Sequence, residues 1–122
     1  MATMKVYAGW RDPDGTVHVT VHRRPLRQVR YYNPDGFDWG NESSGASDLA
    51  LSMLANYFGE RHVNGEYLRR MKLAKLSPKC WRYHQTFTTD VIATLSRIER
   101  WVVTSEQIAL WLELQAMDRS RL

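Results

Sequence analysis

Cys80 and His84 stand one helical turn apart, and His18 and His22 fall on one side of an alternating strand pattern. Zinc needs about four nitrogen or sulfur ligands arranged as a tetrahedron. A lone cysteine and histidines from two separate elements meet that requirement only by a coincidence of tertiary folding. His84 also falls on the apolar stripe of its helix, where a buried, hydrogen-bonded imidazole is the ordinary outcome. No metal and no cofactor is therefore expected. Nucleophilic chemistry has no better footing, because there is no Gly-x-Ser-x-Gly elbow and no local Cys/His signature. No catalytic residue is assigned, and the chain is not expected to be an enzyme.

Gly40-Asn41-Glu42-Ser43-Ser44-Gly45-Ala46-Ser47 is a small polar run leading into a helix. Free amides and hydroxyls at a helix start can hold an anion. The run lacks the lysine of a phosphate-binding loop and the glycine spacing of a dinucleotide fingerprint. Glu42 and Asp48 would repel phosphate. Capping by Ser44, Ser47 and Asp48 accounts for the same residue types. A small-ligand site or small enzyme centred on Trp39–Ser47 is kept as an alternative.

The remaining chemistry is recognition. Arg23, Arg24, Arg27 and Arg30 interleave with Tyr31 and Tyr32, with no carboxylate from 23 to 30. Basic side chains beside aromatics suit phosphates and stacked bases. A second basic run carries Arg61, Arg69, Arg70, Lys72, Lys75, Lys79 and Arg82 against Glu66 alone, and adds Trp81 and Tyr83. The net charge is only +4, and no helix-turn-helix, RNP or zinc-finger signature is present. A nucleic-acid-binding module is thus one reading, and a solvated basic face is the other. Protein binding rests on surplus apolar surface. In the last helix Ile108, Trp111 and Leu112 form one stripe and Leu110, Leu114 and Met117 a second, which suits either partner anchors or a homodimer seam. Leu73 and Leu76 raise the same question within the second basic run.

The elements that must position these residues predict an α+β fold. A small N-terminal antiparallel sheet of two to three strands, about 4–32, packs on a bundle of three to four helices, about 44–117. The 122 residues suffice for one domain. Lys5–Arg11 and Thr16–Arg23 are strands joined through Pro13-Asp14-Gly15, with Val17, Val19 and Val21 on one face. Leu26–Tyr32 is expected as a third strand, ending at the Asn33-Pro34-Asp35-Gly36 turn. A core helix runs from Ser44 or Gly45 to Phe58 and stops at Gly59. Glu66–Leu76 and Cys80–Leu95 are further helices. Trp101-Val102-Val103 is a short extended piece, and Thr104 with Gln107 is a capping-box signal for the final helix. The single cysteine excludes an internal disulfide and fits a reducing compartment. No signal-peptide pattern or membrane-spanning stretch is visible, so a cytoplasmic location is expected, with no membrane partner.

Phe37-Asp38-Trp39-Gly40, then Ser44-Gly45, then Asp48-Leu49-Ala50-Leu51-Ser52-Met53-Leu54 resembles the core of a small uncharacterised domain family of bacteria, their phages and prophages. The resemblance extends to Tyr7-x-Gly9, His84-Gln85-x-Phe87, Trp101 and Trp111. Trp39, Gly40, Ser44 and Gly45 are its motif-loop residues. Here Ser43-Ser44-Gly45-Ala46 replaces a Gly-Gly-Ser-Gly-Pro turn, and the basic run 61–79 is an expansion. The resemblance implies no activity, but it does imply a setting. Small proteins of mobile elements commonly bind and block host machinery, including defence complexes such as CRISPR effectors. The leading expectation is therefore a phage- or prophage-type accessory protein that binds a host protein or nucleoprotein. Arg69, Arg70, Lys72, Lys75, Lys79 and Arg82 would supply electrostatics, and Leu110, Leu114 and Met117 apolar anchors.

Overall fold

A computed structural model describes residues 4–74 and 77–120, with the side chains of 72–74, 119 and 120 left out. The fold is α+β. Strands β1 (Val6–Arg11), β2 (Val17–Val21), β3 (Arg24–Pro25) and β4 (Trp101–Thr104) form one antiparallel sheet in the order β3-β2-β1-β4. The helices are α1 (Ser44–Phe58), α2 (Gly65–Ala74), α3 (Lys79–Asp90) and α4 (Ser105–Ser120), with a single 3-10 turn at Ile92–Thr94.

The β1–β2 hairpin closes as its alternation demands, with Asp12 N–H on the Thr16 carbonyl and Gly15 at φ 91° in the turn. The β2–β3 hairpin carries no turn signal in the sequence. His22 and Arg23 both have positive φ, 51° and 64°, and form a two-residue turn between Val21 and Arg24. His22 therefore leaves the strand face that it was expected to share with His18. The third strand is Arg24–Pro25 and not Leu26–Tyr32. Beyond Pro25 the backbone turns to side chains for its partners, as described below, while Leu26 and Val29 are buried. The fourth strand raises the expected count of two to three, since the extended piece at Trp101 pairs with β1.

Helix α1 is the central element. Ten of its residues, from Gly45 through Ala55, are buried, and α3 packs along it. Its N-cap is Ser43, whose side chain accepts from the Ala46 N–H. Its C-terminus closes at Gly59, whose left-handed φ of 70° suits glycine. Helix α3 ends at Asp90, short of Leu95, where the 3-10 turn takes over. The start of α3 is capped from a distance: the Glu60 carboxylate accepts from the Lys79 and Cys80 N–H groups at 3.0 and 2.8 Å. Thr104 and Gln107 make both reciprocal bonds of a capping box. Helix α4 packs Ile108 and Trp111 inward, with Trp111 edge-on to Phe87 and its indole N–H on Asp90. Among the described residues no helix is long and apolar enough to cross a membrane.

Candidate nucleic-acid interface

The segment from Leu26 to Asn33 is held from one side by two residues of α1. Asp48, fully buried, accepts the N–H groups of Tyr31 (3.2 Å), Tyr32 (2.8 Å) and Asn33 (2.8 Å), with the Gln28 amide at 3.4 Å. Ser52, one turn on, accepts the Val29 N–H at 2.8 Å and donates to the Asp48 carbonyl. Asp48 is thus not the helix cap it was expected to be. Ser43 does that work, and the carboxylate of Asp48 organises an irregular loop whose amides have no neighbouring strand.

From the other side the segment meets the second basic run. The Arg27 guanidinium lies 3.4 Å from the Arg61 carbonyl, and Arg69 donates to the Tyr31 carbonyl at 3.3 Å. The Arg69 guanidinium also stands 5.3 Å from the Tyr31 ring centroid. Two basic runs far apart in sequence therefore meet along one edge that carries Arg27, Arg61 and Arg69, while Arg30 lines a separate groove with β2, Asp35 and Phe37. All three edge arginines are exposed, and among the described residues none has a carboxylate within salt-bridge distance. Glu60 lines the hollow beside Arg27 and Arg61 with Lys5 and offsets part of their charge, and the edge as a whole stays positive.

Beside this edge stand Tyr31, Tyr32 and Trp81. Tyr31 is edge-on to both, at 4.7 and 5.0 Å, and the Tyr32 and Trp81 planes lie within 7° of parallel. Tyr32 is exposed and Trp81 half-buried. His84 fixes the cluster from below. Its Nδ1 lies 2.6 Å from the Trp81 carbonyl, which can only accept, so Nδ1 carries the proton. Nε2 then accepts the Tyr32 hydroxyl at 2.9 Å. Burial is the main reason that the His84 pKa falls below the ordinary 6.5, against a weaker opposing pull from the Trp81 carbonyl and Asp48. In the unfolded chain the imidazole takes up a proton near 6.5, so below that pH the unfolded state holds more protons. Stability is therefore expected to fall as the pH drops from about 6.5 through the lower folded value. Thermal unfolding of the wild type and of His84→Gln between pH 7.5 and 5 checks this: the variant should lose that slope.

The other expected site residues are not all gathered here. Arg23 and Arg24 stand at the β2–β3 turn and on β3, at the start of the same segment. Arg70 is exposed but paired with Glu66 at 2.6 Å. Lys79 lies over the Phe58 ring, and Arg82 turns back to the Ser77 carbonyl. Lys75 lies outside the described residues, as does the side chain of Lys72. Leu110, Leu114 and Met117 form the exposed stripe of α4, at 57, 50 and 53 % exposure, on the far side from Ile108 and Trp111. Arg61 belongs to the second basic run with no signal that singles it out, and nothing in the sequence points Asp48 at the tyrosines.

The motif loop is a structural clamp. The Asp38 carboxylate takes the Arg11 guanidinium, the Trp39 N–H (2.9 Å), the Asn41 amide (2.8 Å) and the Ser43 hydroxyl (3.3 Å), with Arg97 at 3.7 Å. Partial burial opposes ionisation of Asp38, yet these bonds and the two arginines outweigh it and hold the carboxyl below its ordinary pKa. Trp39 is buried, with its indole N–H on the Ser96 carbonyl and Arg11 stacked 4.2 Å above it. Gly40 N–H bonds the Ile92 carbonyl, Gly45 packs against Asp38, and Ser44 is exposed at the first turn of α1. Among the described residues no three His, Cys, Asp or Glu side chains converge on a metal position. Cys80 is buried, and its thiol is pushed up to about 12, chiefly by that burial and then by Glu60.

Residues 7–77, more than half of the chain, match the model of DUF6166, a family of unknown function. No curated protein and no solved structure matches the chain.

Proposed function

We propose that this chain, which belongs to the DUF6166 family, is a non-enzymatic binding protein whose working surface is the arginine-and-tyrosine edge. Its ligand there is single-stranded nucleic acid. The observation that carries the reading is the meeting of Arg27 with Arg61 and of Arg69 with Tyr31, the three guanidinium groups outside salt-bridge distance of a carboxylate, beside Tyr32 and Trp81. Guanidinium groups suit phosphate oxygens, and an exposed tyrosine ring offers a base a face on which to stack. A non-enzymatic role is supported by the two groups nearest to chemistry. The Cys80 thiol is held protonated at neutral pH, and both His84 nitrogens are engaged in hydrogen bonds.

A host nucleoprotein presents the same phosphate surface. A phage or prophage accessory protein acting on a defence complex through its bound nucleic acid is the biological form of this proposal.

Fluorescence anisotropy with a labelled 12-nucleotide single strand tests it. With three phosphate contacts the slope of log K against log salt should be about −2, taking about 0.7 per contact on single strands. Arg27→Glu with Arg61→Glu should weaken binding at least about tenfold at constant fold. A flat salt response, or unchanged affinity in the double variant, dismisses the reading. A protein recovered from host lysate after nuclease treatment, and bound through the same arginines, would replace nucleic acid with a protein target.

A further inference from the structure

The two edges of the sheet are finished differently. On one side β3 is two residues long, contains Pro25 and turns away. On the other, β4 is Trp-Val-Val-Thr with neither charge nor proline. Its register shows which backbone groups face outward. Ser105 N–H bonds the Lys5 carbonyl, so the hydrogen-bonded pairs with β1 are Val103 with Tyr7 and Trp101 with Gly9. The N–H and C=O of Val102 consequently point away from the sheet. Thr104 N–H, which would also face outward, is taken by the Gln107 side chain. Arg100 precedes the strand with the same outward parity as Val102.

Beside this edge lies a groove of about 280 Å³ between β4, the end of α3, the 3-10 turn and the first turn of α4. Phe87, Val91, Leu95, Val103 and Ile108 give it apolar walls, and Asp90 stands at its side. Val102 is 49 % exposed next to it.

We propose that the β4 edge and this groove receive an extended peptide. The peptide adds a fifth strand through Val102 and Arg100 and lowers one apolar side chain into the groove. The backbone groups of Val102 specify an extended main chain, and strand addition with alternate side chains pocketed is an established physical mode of peptide recognition. A second copy of this chain does not fit as the occupant. Pairing β4 with β4 would bring Trp101 and Val103 of the second chain to the groove side, and both are already buried in their own core. The groove would stay empty. A foreign strand has its side chains free to fill it.

The probe is an acetylated, amidated heptapeptide of alternating threonine and leucine, titrated into isotope-labelled protein and followed by amide NMR. Shifts should concentrate at 100–103 and at Val91, Leu95 and Ile108. Val102→Pro removes the outward N–H but no bond to β1, so the fold should persist. Peptide affinity should fall about tenfold, as it should when the peptide's alternate amides are N-methylated. Shifts elsewhere, or equal affinity for Val102→Pro, would overturn the proposal. So would a concentration-dependent dimer that disappears in Val102→Pro, since it would assign the edge to self-pairing. Oligonucleotide binding should be unchanged in this variant, so the two sites fail independently.

Discussion

Asp48→Ala is expected to lower stability by about 2–4 kcal/mol, because it strips two backbone amides of their acceptor and weakens the hold on a third at a position with no exposed surface. The carboxylate of Asp48 lies on α1 with no exposed surface; Tyr32 and Asn33 have no other acceptor for their N–H groups among the described bonds, whereas the Tyr31 N–H is shared with the Val29 carbonyl at 3.2 Å. Alanine offers no oxygen at that buried position to replace the lost acceptor. A domain of this size is stable by about 5–15 kcal/mol, so the loss is a large share of the total. Urea denaturation at pH 7 measures it directly. Asp48→Asn separates charge from shape: one acceptor oxygen remains, and the NH2 group confronts a donor. It should cost roughly half as much. Both variants should also weaken oligonucleotide binding under conditions where they are folded, since the amides held by Asp48 are those that present Tyr31 and Tyr32. A loss under 1 kcal/mol for Asp48→Ala would mean that the loop has a second means of support.

That role shows where sequence legibility ends. The alternation of Val17, Val19 and Val21 and the Pro-Asp-Gly turn spell out the first hairpin, and Thr104 with Gln107 spells out the start of α4. These signals are local, so one segment contains both partners of each bond. The His22–Arg23 turn carries no such signal. Two left-handed residues usually announce themselves as Asn-Gly, and neither is present. An aspartate near a helix start looks like a cap whether its oxygens reach amides in its own first turn or amides of a distant loop. Those donors are main-chain groups, which every residue but proline carries alike. The candidate site shares this property. Each basic run is visible alone, but the contact of Arg27 with Arg61 and of Arg69 with Tyr31 is made by tertiary packing. The two stripes of α4 were legible as stripes. Which one faces the core was settled by α3, where Phe87 receives Trp111.

Gly65 is a point at which that packing can be broken without substituting an arginine or a tyrosine. A methyl group there would lie 2.1 Å from the Arg30 carbonyl oxygen and 3.0 Å from its carbon. Both obstacles are backbone, so no rotamer change relieves them. Either α2 moves away from the 26–33 segment, or that segment moves away from the grip of Asp48 and Ser52. Alanine is the better helix former by up to about 1 kcal/mol in a helix interior, but Gly65 opens α2, where that gain is small. Overlap therefore wins, and Gly65→Ala is expected to destabilise by about 2–3 kcal/mol. The same displacement pulls Arg61 and Arg69 from Arg27 and Tyr31, so the salt slope of oligonucleotide binding should flatten toward that of a single run. Gly59→Ala is the control. It has a left-handed φ of 70° and nothing within 4 Å, so its cost is conformational, about 1 kcal/mol, and leaves the slope intact. If both glycine variants lose stability but neither alters the slope, the two basic runs bind independently, and their convergence is a matter of folding alone.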